Sequence, residues 1–262
     1  MNITVLIKQI PSVEELRFDE RGNMMRDGVP SVLNPLDEFA LEAALRLKES
    51  SGGAVTVLTM GPPQAEETLR YCLSKGADAA VLVTDRAFKG ADTLATARAL
   101  AAAAARLSAE TPVDLLLCGR NSDDSDTGHV PAQTAAFLGW PDLPCALTLE
   151  ASGGKLIFTR AIGPATQQGE LSLPAVVSME KKANEPRLPS IKGKLKSRSA
   201  QVRRLTAADI GLPASDCGSA GSPTTVTRCF LPEAEAAAAA GAQKTAATIA
   251  DLTAAAREGG LL

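Results

Sequence analysis

The chain has 262 residues, 45% of them hydrophobic and only 3% aromatic, so its core must be built from Leu, Val, Ile and Ala. A net charge of −3 argues against bulk attraction to nucleic acid or a membrane surface. Five widely spaced cysteines (Cys72, Cys118, Cys145, Cys217, Cys229), with no CxxC and a single histidine, His129, fit neither a disulfide framework nor a zinc, cluster or Ser-His-Asp site.

In chain order, Ile3–Ile7 reads as a short buried strand, and Leu16–Met25, with Gly22-Asn23 between extended flanks, as a small hairpin. Asn34 and Pro35 are placed as cap and first residue of a helix whose apolar face is Leu36, Phe39, Ala40, Ala43, Ala44 and Leu47. Strands are predicted at Ala54–Thr59, Ala79–Thr84 and Val113–Cys118. Helices are predicted at Pro63–Lys75, closed by Gly76, then Thr93–Leu107 and Thr127–Leu138. Four strand–helix units with near-continuous apolar strands indicate an α/β fold, with a mostly parallel sheet covered by helices on both faces.

After Pro141 the pattern changes. Ala146–Glu150, Leu156–Ala161, Glu170–Leu173 and Ala175–Met179 read as short strands forming an antiparallel extension of the sheet. Lys181–Arg204 carries nine basic residues and one acid, Glu185. It lacks the interleaved aromatics of a nucleic-acid face, leaving a solvated or partner-facing strip. Pro213–Pro223 reads as an exposed linker, and Glu233–Glu258 as an Ala-rich helical arm that buries little alone. These features divide the chain into a nucleotide-binding α/β domain, 1–205, and a linker with C-terminal arm, 206–262. Without a run of 18 apolar residues, a signal peptide or paired cysteines, a cytoplasmic protein with no membrane span is expected.

Val113–Pro141 is the most informative stretch. Its apolar strand ends in Gly119, read as the residue that lets the backbone turn. A loop with Asp123, Asp124 and Asp126 follows, and Asp126 or Thr127 is placed to cap the next helix. The free N–H groups of that first turn can hold a phosphate, and a strand end beside a helix N-terminus is where open α/β sheets bind nucleotides. A second such end begins at Asp92-Thr93. An ordinary capped connection explains each Asp-Thr pair equally well. No GxGxxG and no P-loop occurs.

The order Gly119, Arg120, Asp124, Asp126, Thr127, Val130, then Leu138–Pro141, resembles the motif of electron-transfer flavoprotein β subunits. So do Val5–Pro11, Asn34–Glu49, Met60–Pro62, Leu173–Ser178 and Asn184–Ile191, in the same order along residues 1–230. The resemblance implies a fold similar to adenine-nucleotide α-hydrolase-like folds and a heterodimer with an α subunit that carries most contacts to the electron-transferring FAD. It implies a second nucleotide in this chain, FAD or AMP, held by Ile7, Lys8, Asn34, Asp37, Met60, Gly119, Arg120, Asp124, Ser125, Asp126, Thr127, Gly128, His129 and Val130. Gly90–Leu100 resembles the version found in electron-bifurcating members, which adds Asp92, Thr93 and Thr96 to an FAD site and NADH as electron donor. Ala183, Asn184, Glu185, Pro186 and Arg187 resemble the end of the loop that approaches acyl-CoA-type or other flavin dehydrogenases.

The chain departs from the family at several positions. His129 stands where Gln is usual, Pro131-Ala132 where Gly-Pro is, Ser125 where Gly is common and Ala183 where a Leu anchor is common. No catalytic side chain and no metal is implied. The rival reading is a stand-alone adenine-nucleotide-binding regulator of related fold.

Overall fold

The computed structural model describes residues 1–12, 17–18, 24–25, 30–227 and 257. The chain divides into two units. The first is Met1–Arg17 with Met25–Thr225, and the second is Phe18–Met24 with Val226–Leu262. The Ala-rich arm Glu233–Glu258, apart from Arg257, lies outside the described residues.

The strands are β1 (Asn2–Leu6), β2 (Gln9–Pro11), β3 (Arg17–Phe18), β4 (Met24–Met25), β5 (Ser31–Leu33), β6 (Ala54–Met60), β7 (Ala79–Val83), β8 (Leu115–Gly119), β9 (Asp142–Ser152), β10 (Lys155–Ile162), β11 (Ala165–Ser172), β12 (Ala175–Met179) and β13 (Val202–Leu205). The helices are α1 (Pro35–Ser51), α2 (Glu66–Lys75), α3 (Thr93–Ser108), α4 (His129–Leu138) and α5 (Ile191–Ser199). Nine strands form one sheet in the order β11-β10-β9-β12-β8-β1-β6-β7-β13. From β9 to β13 the neighbours are parallel, and only β10 and β11 add antiparallel pairs.

The expected α/β architecture is therefore present, with one correction. Ala175–Met179 is not part of the antiparallel extension. It lies in the sheet interior as β12, parallel to both β8 and β9, and all five of its residues are buried. A strand that is apolar except for Ser178 suits a position covered on both faces. β3 pairs with β4, and the turn expected between them lies outside the described residues.

Helices cover the two faces separately. On one, α1 and α2 bury Leu41, Leu69 and Leu73 against Val5, Val57 and Leu117. On the other, the Ala-rich α3 buries Ala99, Leu100, Ala103 and Ala104 against Leu6, Leu58, Val81 and Leu116. Each fully buried Leu contributes on the order of 1.5–3 kcal/mol. The alanines let α3 sit close to the sheet and beside α4, where Arg98 stacks 5.3 Å over the Phe137 ring.

The stretch Pro213–Pro223 is not a free linker. Cys217 is buried, and Ser219 donates its backbone N–H to the Lys89 carbonyl at 3.0 Å. Among the described residues no helix is long and apolar enough to cross a membrane.

Candidate nucleotide site

The sheet order sets where a ligand can sit. From β1 the chain passes through α1 to β6 on one side, whereas β8 lies on the other side of β1. The order therefore reverses between β1 and β8, and the crevice outside their carboxyl ends is the position α/β sheets use for ligands. Its walls are Ile7-Lys8 and Gly119-Arg120.

One side chain ties these walls together. Asp37, in the first turn of α1, is 4% exposed. Its Oδ2 accepts the Lys8 backbone N–H at 2.8 Å and its Oδ1 accepts that of Gly119 at 3.0 Å. Burial pushes the carboxyl up to about 7, against the opposing pull of these hydrogen bonds, Asn34 and the Lys8 charge. Gly119 is needed here for space and not for a turn. A Cβ at this position would stand 2.6 Å from Asp37 Oδ1 and 2.7 Å from the Leu36 carbonyl carbon.

Lys8 leads from β1 into the loop after β8. Its ammonium donates to Asp124 Oδ1 at 2.6 Å, Ser122 Oγ at 3.1 Å and Ser125 Oγ at 3.4 Å. The Asp124 side chain is only 1% exposed. Its burial, which alone would raise the carboxyl, is outweighed by Lys8, Ser122 and Ser125, so it is held below the usual carboxylate range. Asn34 fastens the same loop to the start of α1. Its Nδ2 donates to the Asn121 carbonyl at 2.9 Å, and its Oδ1 accepts the Asp123 N–H at 3.2 Å. Asn34 precedes α1 as expected but makes no side-chain cap bond, because its amide is committed to the loop.

The start of α4 also differs from expectation. Neither Asp126 nor Thr127 caps it. Gly128 occupies the cap position with φ of 65°, and no side chain bonds the first turn. Asp126, itself at φ of 50°, instead accepts the Asn121 side-chain amide. The first-turn N–H groups of α4, beginning at the exposed His129, are thus without a side-chain cap, beside a loop that already carries an ammonium. Val130 turns inward and packs against the core. Arg120 reaches away to Glu180, 3.1 Å from its carboxylate. Ile7 donates to the Leu58 carbonyl at 3.0 Å, and Met60 ends β6, half-buried.

The second Asp-Thr pair is placed differently. Asp92 caps α3 through Oδ1, which accepts the Ala95 N–H at 3.0 Å. Its Oδ2 accepts both the N–H and the hydroxyl of Thr224, at 3.2 and 2.8 Å. Thr93 and Thr96 lie half-exposed on the first turn of α3. Both α3 and α4 cross between parallel strands, so both N-termini lie along the carboxyl edge of the sheet.

The basic strip is built on α1 and α2. Arg187 binds the buried Glu42 through Nε at 2.8 Å and its own backbone N–H at 3.1 Å, and it also pairs with Glu49. Asn184 donates to the Phe39 carbonyl at 2.9 Å, and Arg46 to that of Glu185 at 3.2 Å. Ala183 packs half-buried against the core and Pro186 is half-buried. The exposed apolar residues of this region are Leu188 at 85%, Ile191 at 82% and Leu195 at 62%. Sequence reading missed Ser122, Glu42 and Thr224 as partners, because nothing in local spacing links them to Lys8, Arg187 or Asp92.

A cavity of about 770 Å³ lies at the opposite, amino end of the strands, lined by Thr4, Thr56, Glu110 and Arg203. It is remote from the crevice and has none of its donors.

The family model of the electron transfer flavoprotein domain matches residues 22–210. The electron transfer flavoprotein subunit beta of Thermoanaerobacterium thermosaccharolyticum is 44% identical over 90% of both chains. The chain belongs to the electron-transfer flavoprotein β-subunit family. It is also 42% identical to the caffeyl-CoA reductase–Etf complex subunit CarD of Acetobacterium woodii, over 90% of this chain and 89% of that one. Protein FixA of Azorhizobium caulinodans is 42% identical, over 90% of this chain and 86% of its own.

Proposed function

We propose that the chain is the β subunit of a heterodimer in which the α subunit carries most contacts to the electron-transferring FAD. This subunit holds an adenine nucleotide in the β1–β8 crevice. It helps pass electrons between flavin and a dehydrogenase or NADH partner, by electron bifurcation where NADH is the donor. The observation that carries the reading is the meeting, at one strand-order reversal, of the Lys8 ammonium and an α4 N-terminus with no side-chain cap. Gly119, whose missing side chain leaves room for Asp37 and Leu36, lets this wall of the crevice pack against the start of α1. These donors suit phosphate oxygens. An isoalloxazine, when bound, would supply the redox chemistry, and the chain's own residues would position it.

FAD is the first reading for this site. Two helix N-termini on one sheet edge, at Thr93 and His129, suit a diphosphate better than a monophosphate. The observation favouring AMP is that both Asp92 oxygens are used within the chain. The exposed Leu188, Ile191 and Leu195, set among basic residues beside Asn184–Arg187, are the surface offered to the redox partner. The test is to purify the heterodimer and count extracted nucleotides. Two FAD, one of them reduced by NADH, is the expected result. One FAD with one AMP selects the second reading, and no nucleotide beyond the α subunit's FAD overturns the site.

A further inference from the structure

We propose that the cavity of about 770 Å³ at the amino ends of β1, β6 and β7 is a second binding site, taking an uncharged small molecule with an apolar face and a hydroxyl or carboxamide group. It lies at the opposite end of the strands from the nucleotide crevice and does not depend on the nucleotide reading.

The strands explain why space is left there. Parallel strands covered on both faces are normally runs of Val, Ile and Leu. On the face that α3 covers, however, Thr4 of β1 stands in register with Thr56 of β6, and Thr56 with Ala79 of β7. Two residues further along, the same face carries Leu6, Leu58 and Val81, which pack into the core beneath α3. The first row is made of smaller side chains, and α3 ends at Ser108. Together these leave a hollow walled by Val81, Leu107 and Val113. Its volume falls within the range of about 300–1,000 Å³ that small ligands occupy.

The polar groups decide what the hollow can hold. Thr4 lines it at 2% exposure, and its hydroxyl makes no hydrogen bond among the described residues. Buried polar groups are normally paired, so this hydroxyl calls for a partner from outside the chain. Thr56, half-buried, places a second hydroxyl beside it. The charges at the mouth are already engaged. Glu110 receives both terminal nitrogens of Arg203, at 2.6 and 2.8 Å, and Arg106 at 2.6 Å. Arg204 pairs with Glu66 at 2.6 Å. An anionic ligand would have to compete with Glu110 for Arg203, and a cationic one with two guanidinium groups for Glu110. A neutral molecule breaks neither pair. Threonine hydroxyls both donate and accept, which matches a hydroxyl or carboxamide, while the ligand's apolar face lies on Val81, Leu107 and Val113.

The experiment uses the full chain co-purified with its α subunit, its Val and Leu methyl groups isotopically labelled. The complex is titrated with phenol, benzamide and benzoate and followed by NMR. Phenol and benzamide should shift the Val81, Leu107 and Val113 methyl signals saturably and leave those of Val130, beside the crevice, in place. Benzoate, with the same ring and a charge, should bind about tenfold more weakly or less. Thr4→Val keeps the volume and removes the hydroxyl, so it should weaken phenol severalfold, as the loss of one hydrogen bond does. Should Thr4→Val fail to fold, Ala79→Leu decides, since it fills the cavity from an exposed position at its edge and should abolish binding. Absence of a saturable shift with both neutral probes, which leaves only water in the cavity, overturns the proposal. So does benzoate binding as tightly as benzamide, or an unchanged phenol affinity in a folded Thr4→Val or Ala79→Leu variant.

Discussion

The Lys8 ammonium stands 2.6 Å from the carboxylate of Asp124, joining the end of β1 to the loop that follows β8. Asp124 is almost wholly buried there, whereas Lys8 keeps 40% of its side chain in solvent. Lys8→Ala would remove the cation from a buried carboxylate, at a cost of about 1–3 kcal/mol, reduced by the exposure of Lys8. The carboxyl of Asp124 is held below its ordinary value, so its contribution is fully present above about pH 4 and is lost as pH falls through the lowered value. Thermal unfolding at several pH values checks this. Variant and wild type should differ at neutral pH and converge in acid.

Gly119→Ala tests the close approach of β8 to α1. The added Cβ meets Asp37 Oδ1 at 2.6 Å and Leu36 Cβ at 2.8 Å, where backbone and helix start leave little to yield. Overpacking of this kind costs about 1–3 kcal/mol, and it moves both the Asp37 clamp and the crevice wall. The expected outcome is a folded protein with a lower Tm and a lower nucleotide content. Gly139→Ala is the comparison, because no atom lies within 4 Å of the added Cβ and only the φ of 66° opposes it. About 1 kcal/mol of instability with normal nucleotide content is expected there.

Arg187→Ala should loosen the whole basic strip. Glu42 is 3% exposed, and its carboxyl is kept below the usual range because Arg187 and Arg46 outweigh the effect of burial. Without the Arg187 side chain it keeps Arg46 at 2.7 Å and the backbone N–H of residue 187 but loses its bonds to the guanidinium. Loss of about 2–4 kcal/mol is expected. Stability should then show a weaker fall on acidification, because the lowered carboxyl is what loses its benefit below about pH 4. Hydrogen exchange across residues 180–190 is the measurement, and protection there should drop more than in β8.

Much of this arrangement was legible in the sequence. Leu115–Cys118 is apolar without a break, and that alone marks a strand buried on both faces. Pro35 fixed the start of α1 through its missing N–H. The pairing of distant polar groups was not legible. Asn34 and Asp126 both have the chemistry of helix caps, yet one bonds the Asn121 carbonyl and the other the Asn121 amide, because the loop after β8 competes for them. The place of β12 was hidden for a related reason. Short apolar strands after a Pro read as antiparallel neighbours, and only the sheet shows that β12 slips between β9 and β8.

Asp92→Ala separates the two nucleotide readings at one residue. The side chain caps α3 at the Ala95 N–H and holds Thr224 through two further bonds, so its loss costs a cap, about 1 kcal/mol, and frees the 222–225 segment. Its carboxyl lies below the ordinary range, since the Ala95 and Thr224 bonds outweigh burial, so this contribution too disappears on acidification below about pH 4. If α3 helps hold a diphosphate, disturbing its first turn lowers FAD content at the β site well beyond what a one-kcal/mol cap explains. If the site takes AMP at α4 alone, Tm falls by the cap's share and nucleotide content stays at the wild-type level. Measuring both quantities on the same purified heterodimer distinguishes them, because a stability loss of that size leaves the folded population essentially complete at 25 °C.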